Sequence, residues 1–139
     1  MKDVVKTATV DGTKIHLAYT VQALLDINRI LKGDNGESRE LANVILGDDP
    51  EDFETFTEIV SVLNYCGERI RASRGLKDGT VMSAERISAA LLPKEHMKLK
   101  GIAMETILAG LGREENNSDV DLGLAELEKK NPRRRRKLS

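Results

Sequence analysis

The stretch KTATVDGTKIHLAYTVQALLDINRILKG, residues 6–33, changes from a strand pattern to a helix pattern at Thr20. Asp11-Gly12 is a signal for a two-residue hairpin turn, because both residue types tolerate a positive φ. After this turn, apolar residues alternate with polar or small ones, which gives the second strand one apolar face. Residues 2–19 are therefore predicted to form a β-hairpin. Since an isolated hairpin is marginal in water, the hairpin is expected to pack on the helix that follows.

The second half of this stretch predicts a helix from Thr20, which can cap it, to about Lys32, with Gly33 ending it. Apolar residues recur at helical spacing and predict one broad buried face. That face comprises Val21, Leu24, Leu25, Ile27, Ile30 and Leu31.

Start and stop signals predict four more helices, over residues 38–46, 50–73, 84–91 and 93–111. The clearest start is Asp49-Pro50, since Asp can cap a helix and Pro suits its first position. In the long helix, Gly67 is expected to allow a close crossing with another helix. In the last helix, Gly101 is expected to mark a bend or a close contact. The inward residues of the two central helices are predicted to be Leu41, Ala42, Ile45, Leu46, Phe53, Phe56, Val60 and Leu63.

The predicted fold is thus mainly α, with an N-terminal β-hairpin packed on a small bundle of about five helices. Residues 1–112 are expected to form this folded domain. Residues 113–139 are polar, charged and interrupted by Gly and Pro, and are expected to be a tail that is disordered when free.

Charge is distributed unevenly along the chain. Residues 1–112 carry 14 basic and 17 acidic side chains, and residues 113–128 have a net charge of -5. Residues 129–139 carry seven basic side chains and no acidic ones. A nucleic-acid-binding domain usually carries its positive charge on the folded body, so this distribution argues against specific nucleic-acid binding. The alternative function is that of a nucleic-acid-associated accessory protein, which would use the basic tail.

No motif of an active site, a metal site or a cofactor site occurs in the sequence. His16 and His96 lie outside any metal-ligand spacing and are interpreted as surface residues. Cys66, the only cysteine, is interpreted as a small buried hydrophobe. The chain is therefore expected not to be an enzyme and to need no cofactor. A small enzyme subunit or regulator, with a site assembled from separated residues, is a weaker third option.

The N-terminal sequence MKDVVKTATVDG has neither an apolar run nor a cleavage site, which argues against a signal peptide. No apolar stretch approaches the roughly 18 residues of a membrane span. The protein is therefore expected to be soluble and intracellular, with no membrane partner.

Residues 6–33, about a fifth of the chain, resemble the N-terminal region of small tail assembly chaperones of long-tailed, siphovirus-like phages and prophages. The resemblance implies a protein that binds the tape measure protein, a very long helical protein that aggregates unprotected. It also implies help in recruiting tail tube subunits. Such a chaperone works in the cytoplasm of the bacterial host and is absent from the mature virion. The open edge of the hairpin offers a route to self-association.

The resemblance further implies two protein forms, because many of these chaperones have a longer form made by ribosomal frameshifting. Glu128-Lys129-Lys130-Asn131 can be encoded by a long run of A bases, on which paired tRNAs can slip. The tail tube protein would be recruited through the longer form. The alternative is that AAG codons encode the two lysines, so that no slip site exists. The nucleotide sequence of these codons distinguishes the two possibilities.

A partner helix requires exposed apolar surface, and a Met-containing surface suits varied partners. The predicted partner-binding residues are Met97, Met104, Ile107, Leu108 and Leu111 of the last helix, with Ile59 and Val62 of the long helix. Tail contacts are predicted for Leu122, Leu124 and Leu127. The alternative for the helical residues is that they belong to the core.

Overall fold

The computed structural model describes residues 3–33 and 38–112, and confirms a mainly helical fold with an N-terminal hairpin. Two strands pair in one antiparallel sheet and five helices follow. The predicted tail, residues 113–139, lies outside the described residues. The elements are β1 (Lys6–Val10), β2 (Thr13–Leu17), α1 (Val21–Lys32), α2 (Leu41–Leu46), α3 (Pro50–Ser73), α4 (Ala84–Ala90) and α5 (Pro93–Gly110).

The hairpin turn has the geometry that its two residues predict. Asp11 has a φ of 49° and Gly12 a φ of 76°, so both central positions are left-handed, as a type I′ turn requires. Val10 pairs with Thr13 across the turn, and the register continues to Lys6 opposite Leu17. One face of the hairpin is buried and consists of Ala8, Val10, Ile15 and Leu17.

The hairpin packs against the middle of α3 and not on α1, so the prediction that the helix directly after it supports it is wrong. The backbone N–H of Ala18 donates to the carbonyl of Leu63 at 3.0 Å. Close approach is possible because Gly67 has no side chain: a Cβ there would lie 2.6 Å from the His16 carbonyl carbon and 2.8 Å from the Leu17 nitrogen. The prediction that another helix crosses closely at Gly67 is therefore wrong. The element that approaches α3 closely at this position is strand β2.

Asn64, one turn before Gly67, joins three segments of the chain. Its amide nitrogen donates to the carbonyls of His16 and Thr80, both at 3.0 Å. Its amide oxygen accepts the backbone N–H of Met82 at 2.7 Å. The side chain is fully buried, so these bonds satisfy groups that water does not reach. Asn64 thus attaches both strand β2 and the loop before α4 to α3.

Helix α1 begins where predicted, because the Thr20 hydroxyl accepts the backbone N–H of Ala23 at 3.2 Å. The predicted apolar face is buried only in part. The buried residues are Ala23, Ile27 and Leu31, whereas Val21 is 75% exposed. The reason is that α1 packs mainly on α3, so only a narrow stripe is covered. The exposed apolar residues of the predicted face are Val21, Leu24 and Leu25.

Helix α2 is shorter than predicted and begins at Leu41 rather than Ser38. Arg39 explains the difference, since its guanidinium bonds the Thr55 hydroxyl at 2.7 Å and pairs with Asp52. Arg39 lies before the helix, and these contacts attach it to α3. Leu46, predicted to point inward, is exposed, and the buried residues are Ala42, Val44 and Ile45.

The later helices keep their predicted bounds to within one residue at each end. Pro50 opens α3 as predicted, but the Asp49 side chain makes no capping bond. The Ser83 hydroxyl does cap α4, accepting the N–H of Arg86 at 3.1 Å. A Cβ at Gly101 would meet nothing within 4 Å, so the predicted close contact is wrong.

Within the described residues, every helix is too short or too polar to cross a bilayer.

Glu68 joins the end of α3 to the hairpin and to the loop before α4. Its carboxylate lies 3.0 Å from His16 Nδ1 and accepts the N–H of Gly79 and the guanidinium of Arg71, both at 2.9 Å. Burial raises the pKa of Glu68, but these hydrogen bonds outweigh it and hold the pKa below its ordinary value of 4.5. His16 is therefore partly buried and bonded, which corrects its interpretation as a free surface residue.

Replacing Glu68 with glutamine should lower the free energy of unfolding by about 2 kcal/mol at neutral pH, because charged hydrogen bonds are lost. A group whose folded pKa is lowered stabilises the fold above its unfolded pKa and loses that effect as the pH falls. The difference from wild type should therefore shrink below pH 4.5. Urea unfolding at several pH values measures this difference in the free energy of unfolding. The control is Glu58→Gln, because Glu58 is exposed on the same helix. A difference that is constant down to strongly acidic pH would contradict this account.

Candidate partner-binding groove

A groove of about 440 Å³ lies between the start of α3, the end of α4 and the start of α5. We call it the α3–α5 groove and define it by its apolar and aromatic lining: Phe53, Leu91, Pro93, His96 and Met97. Met97 is 68% exposed and Phe53 is 41% exposed. Large apolar side chains are thus open to solvent next to one another, which makes the groove a candidate binding surface.

Local sequence signals build this groove. Pro50 opens α3, which places Phe53 in its first turn. Helix α4 ends at Ala90, and Pro93 opens α5 directly afterwards. The backbone N–H of Leu92 between them donates to the Glu95 carboxylate at 3.0 Å, which caps α5. Phe53 at the start of α3 and Met97 near the start of α5 both stay exposed to solvent.

The floor of the groove is aromatic. The His96 ring lies edge-on to Phe53 with a centroid distance of 4.7 Å, and edge-on to Phe56 at 5.0 Å. Burial, together with the nearby charge of Lys100, lowers the pKa of His96 below its ordinary value. His96 is therefore a neutral, half-buried ring at neutral pH. This corrects its interpretation as a surface histidine, since it packs as part of an aromatic cluster.

Charged groups surround this floor. The Lys100 ammonium lies 5.8 Å from the centre of the Phe53 ring, within range of a cation–π contact, and donates to the Gly47 carbonyl at 3.3 Å. Asp48 and Glu54 line the same groove. An apolar centre with a polar rim is the usual composition of a protein–protein interface.

The structure separates the predicted partner-binding residues. Met97 lies in the α3–α5 groove and Leu111 is exposed at the other end of α5. The expectation of one exposed face is wrong for the residues between them, because the second half of α5 packs into the hydrophobic core. The buried residues of the predicted set are Ile59, Met104, Ile107 and Leu108, and Val62 is partly buried against the core.

A second cleft, of about 430 Å³, lies where α1, α2 and the end of α5 meet. Leu24, Ile107 and Leu111 line it. Two residues of the predicted set thus border a different cleft from Met97. The predicted tail contacts, Leu122, Leu124 and Leu127, lie outside the described residues.

Sequence reasoning missed four residues of the α3–α5 groove: Phe53, Leu91, Pro93 and His96. Phe53 was expected to point inward because it lies three residues before the buried Phe56. The available signal was its place in the first helical turn between Asp52 and Glu54, where a helix end projects into solvent. His96 had no such signal, because its environment depends on two phenylalanines from a distant helix.

The α3–α5 groove offers apolar and aromatic area rather than reactive groups. Across residues 3–33 and 38–112, no three His, Cys, Asp or Glu side chains come together in a way that could hold a metal ion. Burial raises the pKa of the Cys66 thiol, which favours its protonated form. The arrangement suits the binding of an apolar helix face.

No family model, curated protein or solved structure matches the chain.

Proposed function

We propose that this protein is a tail assembly chaperone of a long-tailed phage or prophage, which holds amphipathic helices of the tape measure protein in the α3–α5 groove. The observation that carries the proposal is the exposure of Met97 beside Phe53, above the aromatic floor of the groove. The resemblance of residues 6–33 to such chaperones supplies the identity of the partner.

An amphipathic helix binds a groove through apolar side chains spaced three or four residues apart. Burying a Phe or Met side chain contributes about 1.5–3 kcal/mol, and ordering the partner offsets part of this. One groove with two large exposed anchors therefore predicts weak binding at each site. Weak binding suits a chaperone that must leave before assembly is complete. Methionine also fits varied helices without demanding one sequence.

The remaining parts of this proposal rest on the resemblance. The protein acts in the cytoplasm of the bacterial host, is absent from the mature virion, and recruits tail tube subunits through a longer frameshifted form. Residues 129–139, on which the nucleic-acid alternative depends, lie outside the described residues, and no described residue favours that alternative.

Replacing Met97 with aspartate should abolish co-purification with the tape measure protein, since a charge would be placed on the apolar centre of the groove. The measurement is co-expression with the tape measure protein, which is expected to be encoded by a neighbouring gene, followed by affinity capture. Binding should weaken by about tenfold or more, because one desolvated charge costs well over 1 kcal/mol. Circular dichroism should show an unchanged fold, as Met97 is mostly exposed.

Leu76→Asp is the matched control, because Leu76 is 49% exposed but lies in the loop after α3. It should co-purify like the wild type. Equal capture of the Met97→Asp variant and the wild type would exclude the groove as the site. Failure of the wild type to co-purify, or the absence of a long helical protein from the neighbouring genes, would overturn the chaperone function itself.

A further inference from the structure

The outer edge of β1 carries backbone N–H and C=O groups that are not hydrogen-bonded to β2. A two-residue turn makes Val10 and Thr13 the first hydrogen-bonded pair, and bonded pairs then alternate along the hairpin. Ala8 therefore bonds to β2, whereas the N–H and C=O groups of Thr7 and Thr9 point away from it. No other residue of the described ranges is hydrogen-bonded to these groups of Thr7 or Thr9. An open edge of this kind accepts an added strand.

A groove of about 520 Å³ runs along this edge, between β1 and α5. Leu99, which is buried, and Ile102, which packs against the core, supply its apolar wall. Side chains of an added strand would alternate between this wall and solvent. The groove therefore suits a segment in which every second residue is apolar.

The rim of this groove is basic. Lys94 and Lys98 line it, one helical turn apart on α5, and neither has an ion-pair partner within residues 3–33 and 38–112. Glu95, the acidic residue between them, is already bonded to the backbone of Leu92. A strand that binds here is expected to carry negative charge.

One sequence in this chain has both properties. Residues 118–126 read SDVDLGLAE, in which Val120, Leu122 and Leu124 alternate with acidic or small residues. They carry three acidic side chains and no basic one. We propose that the edge of β1 binds residues 118–126 of the same chain as an added strand.

The described chain ends close to the residues that follow β2. Gly110 packs against Tyr19, two residues beyond the Leu17 that pairs with Lys6 at the start of β1. Residues 113–118 can span at most about 20 Å when extended, which limits how far from Gly112 the added strand can begin. A second copy fits less well, because pairing two β1 edges would bring Lys94 and Lys98 of both copies together.

Amide hydrogen exchange of the full chain, measured by NMR, tests this proposal. In the wild type, the amides of Thr7 and Thr9 should exchange at least about tenfold more slowly than unprotected amides. Leu122→Asp should remove this protection, and the neighbouring Gly123→Asp should leave it, because position 123 would face solvent. Ala8, bonded within the hairpin, is the internal reference and should not change in either variant.

A second pair of variants tests the charges. Lys94→Glu with Lys98→Glu should speed exchange at Thr7 and Thr9 by up to about tenfold, since the basic rim beside an acidic segment would become acidic. Lys77→Glu with Arg86→Glu changes the net charge equally on exposed residues outside the groove, and should have no effect. Unprotected Thr7 and Thr9 amides in the wild type would overturn the proposal. So would protection that survives Leu122→Asp, and a dependence on protein concentration would identify a second copy instead.

Discussion

Replacing Gly67 with alanine should lower the free energy of unfolding by about 3 kcal/mol, although alanine is the better helix former. The added methyl group would lie 2.6 Å from the His16 carbonyl carbon and 2.8 Å from the Leu17 nitrogen. Both are backbone atoms of β2, which cannot rotate away as a side chain does. The hairpin would have to move off α3, and the buried contacts of Ile15 and Leu17 would be lost with it.

Gly101→Ala is the matched control for this prediction, because Gly101 also lies inside a long helix but has open space where the methyl group would be. It should raise the free energy of unfolding by up to about 1 kcal/mol. Urea unfolding followed by circular dichroism measures both variants. Two changes of the same sign would contradict the proposed contact between α3 and β2.

Replacing Asn64 with alanine should have an equally large effect, of about 3–4 kcal/mol. The substitution would remove the fully buried amide that the carbonyls of His16 and Thr80 and the N–H of Met82 bond to. It would also leave a cavity where the amide had been. The loop before α4 and the strand β2 would both lose their attachment to α3.

Thermal unfolding tests this second prediction. A change of this size should lower the melting temperature by more than about 10 °C in a domain of this length. Asn28→Ala removes the same group from an exposed position on α1 and should change the melting temperature little. Equal melting temperatures for the two variants would show that the buried hydrogen bonds of Asn64 contribute nothing net.

Elements with strong local signals were predictable from the sequence. The Asp11-Gly12 turn needs two left-handed residues, and the pair supplies them. Thr20 and Ser83 cap helices through bonds that span only three residues. Such signals depend on neighbours in the chain, so the hairpin and the helix ends could be placed without knowledge of the packing.

The buried face of each helix was less predictable, because it depends on which distant element covers it. Val21 and Leu25 belong to a helical apolar pattern, yet α1 packs on one neighbour and leaves them exposed. Arg39 shortens α2 through contacts with Asp52 and Thr55, which lie on the next helix. Gly67 signalled a close approach, but its sequence context did not distinguish a strand from a helix.

In the candidate site, too, one residue was predictable from the sequence and the others depend on packing between distant elements. Met97 was predicted from the composition of the last helix and does lie in the α3–α5 groove. Met104 and Leu108 share its helical spacing but are buried in the hydrophobic core. Phe53 and His96 complete the groove through a ring contact between two helices, and a pattern within one helix cannot show such a contact.

A photo-crosslinking experiment tests most directly whether the α3–α5 groove holds the tape measure protein. A photoreactive phenylalanine analogue at position 97 should crosslink to that protein when the two are co-expressed and irradiated. The same analogue at position 76, which is also exposed but lies in the loop after α3, should not crosslink. Crosslinks from position 97 that map to apolar helical segments are the predicted result. Crosslinking from position 76 alone, or from neither position while the two proteins co-purify, would contradict the account.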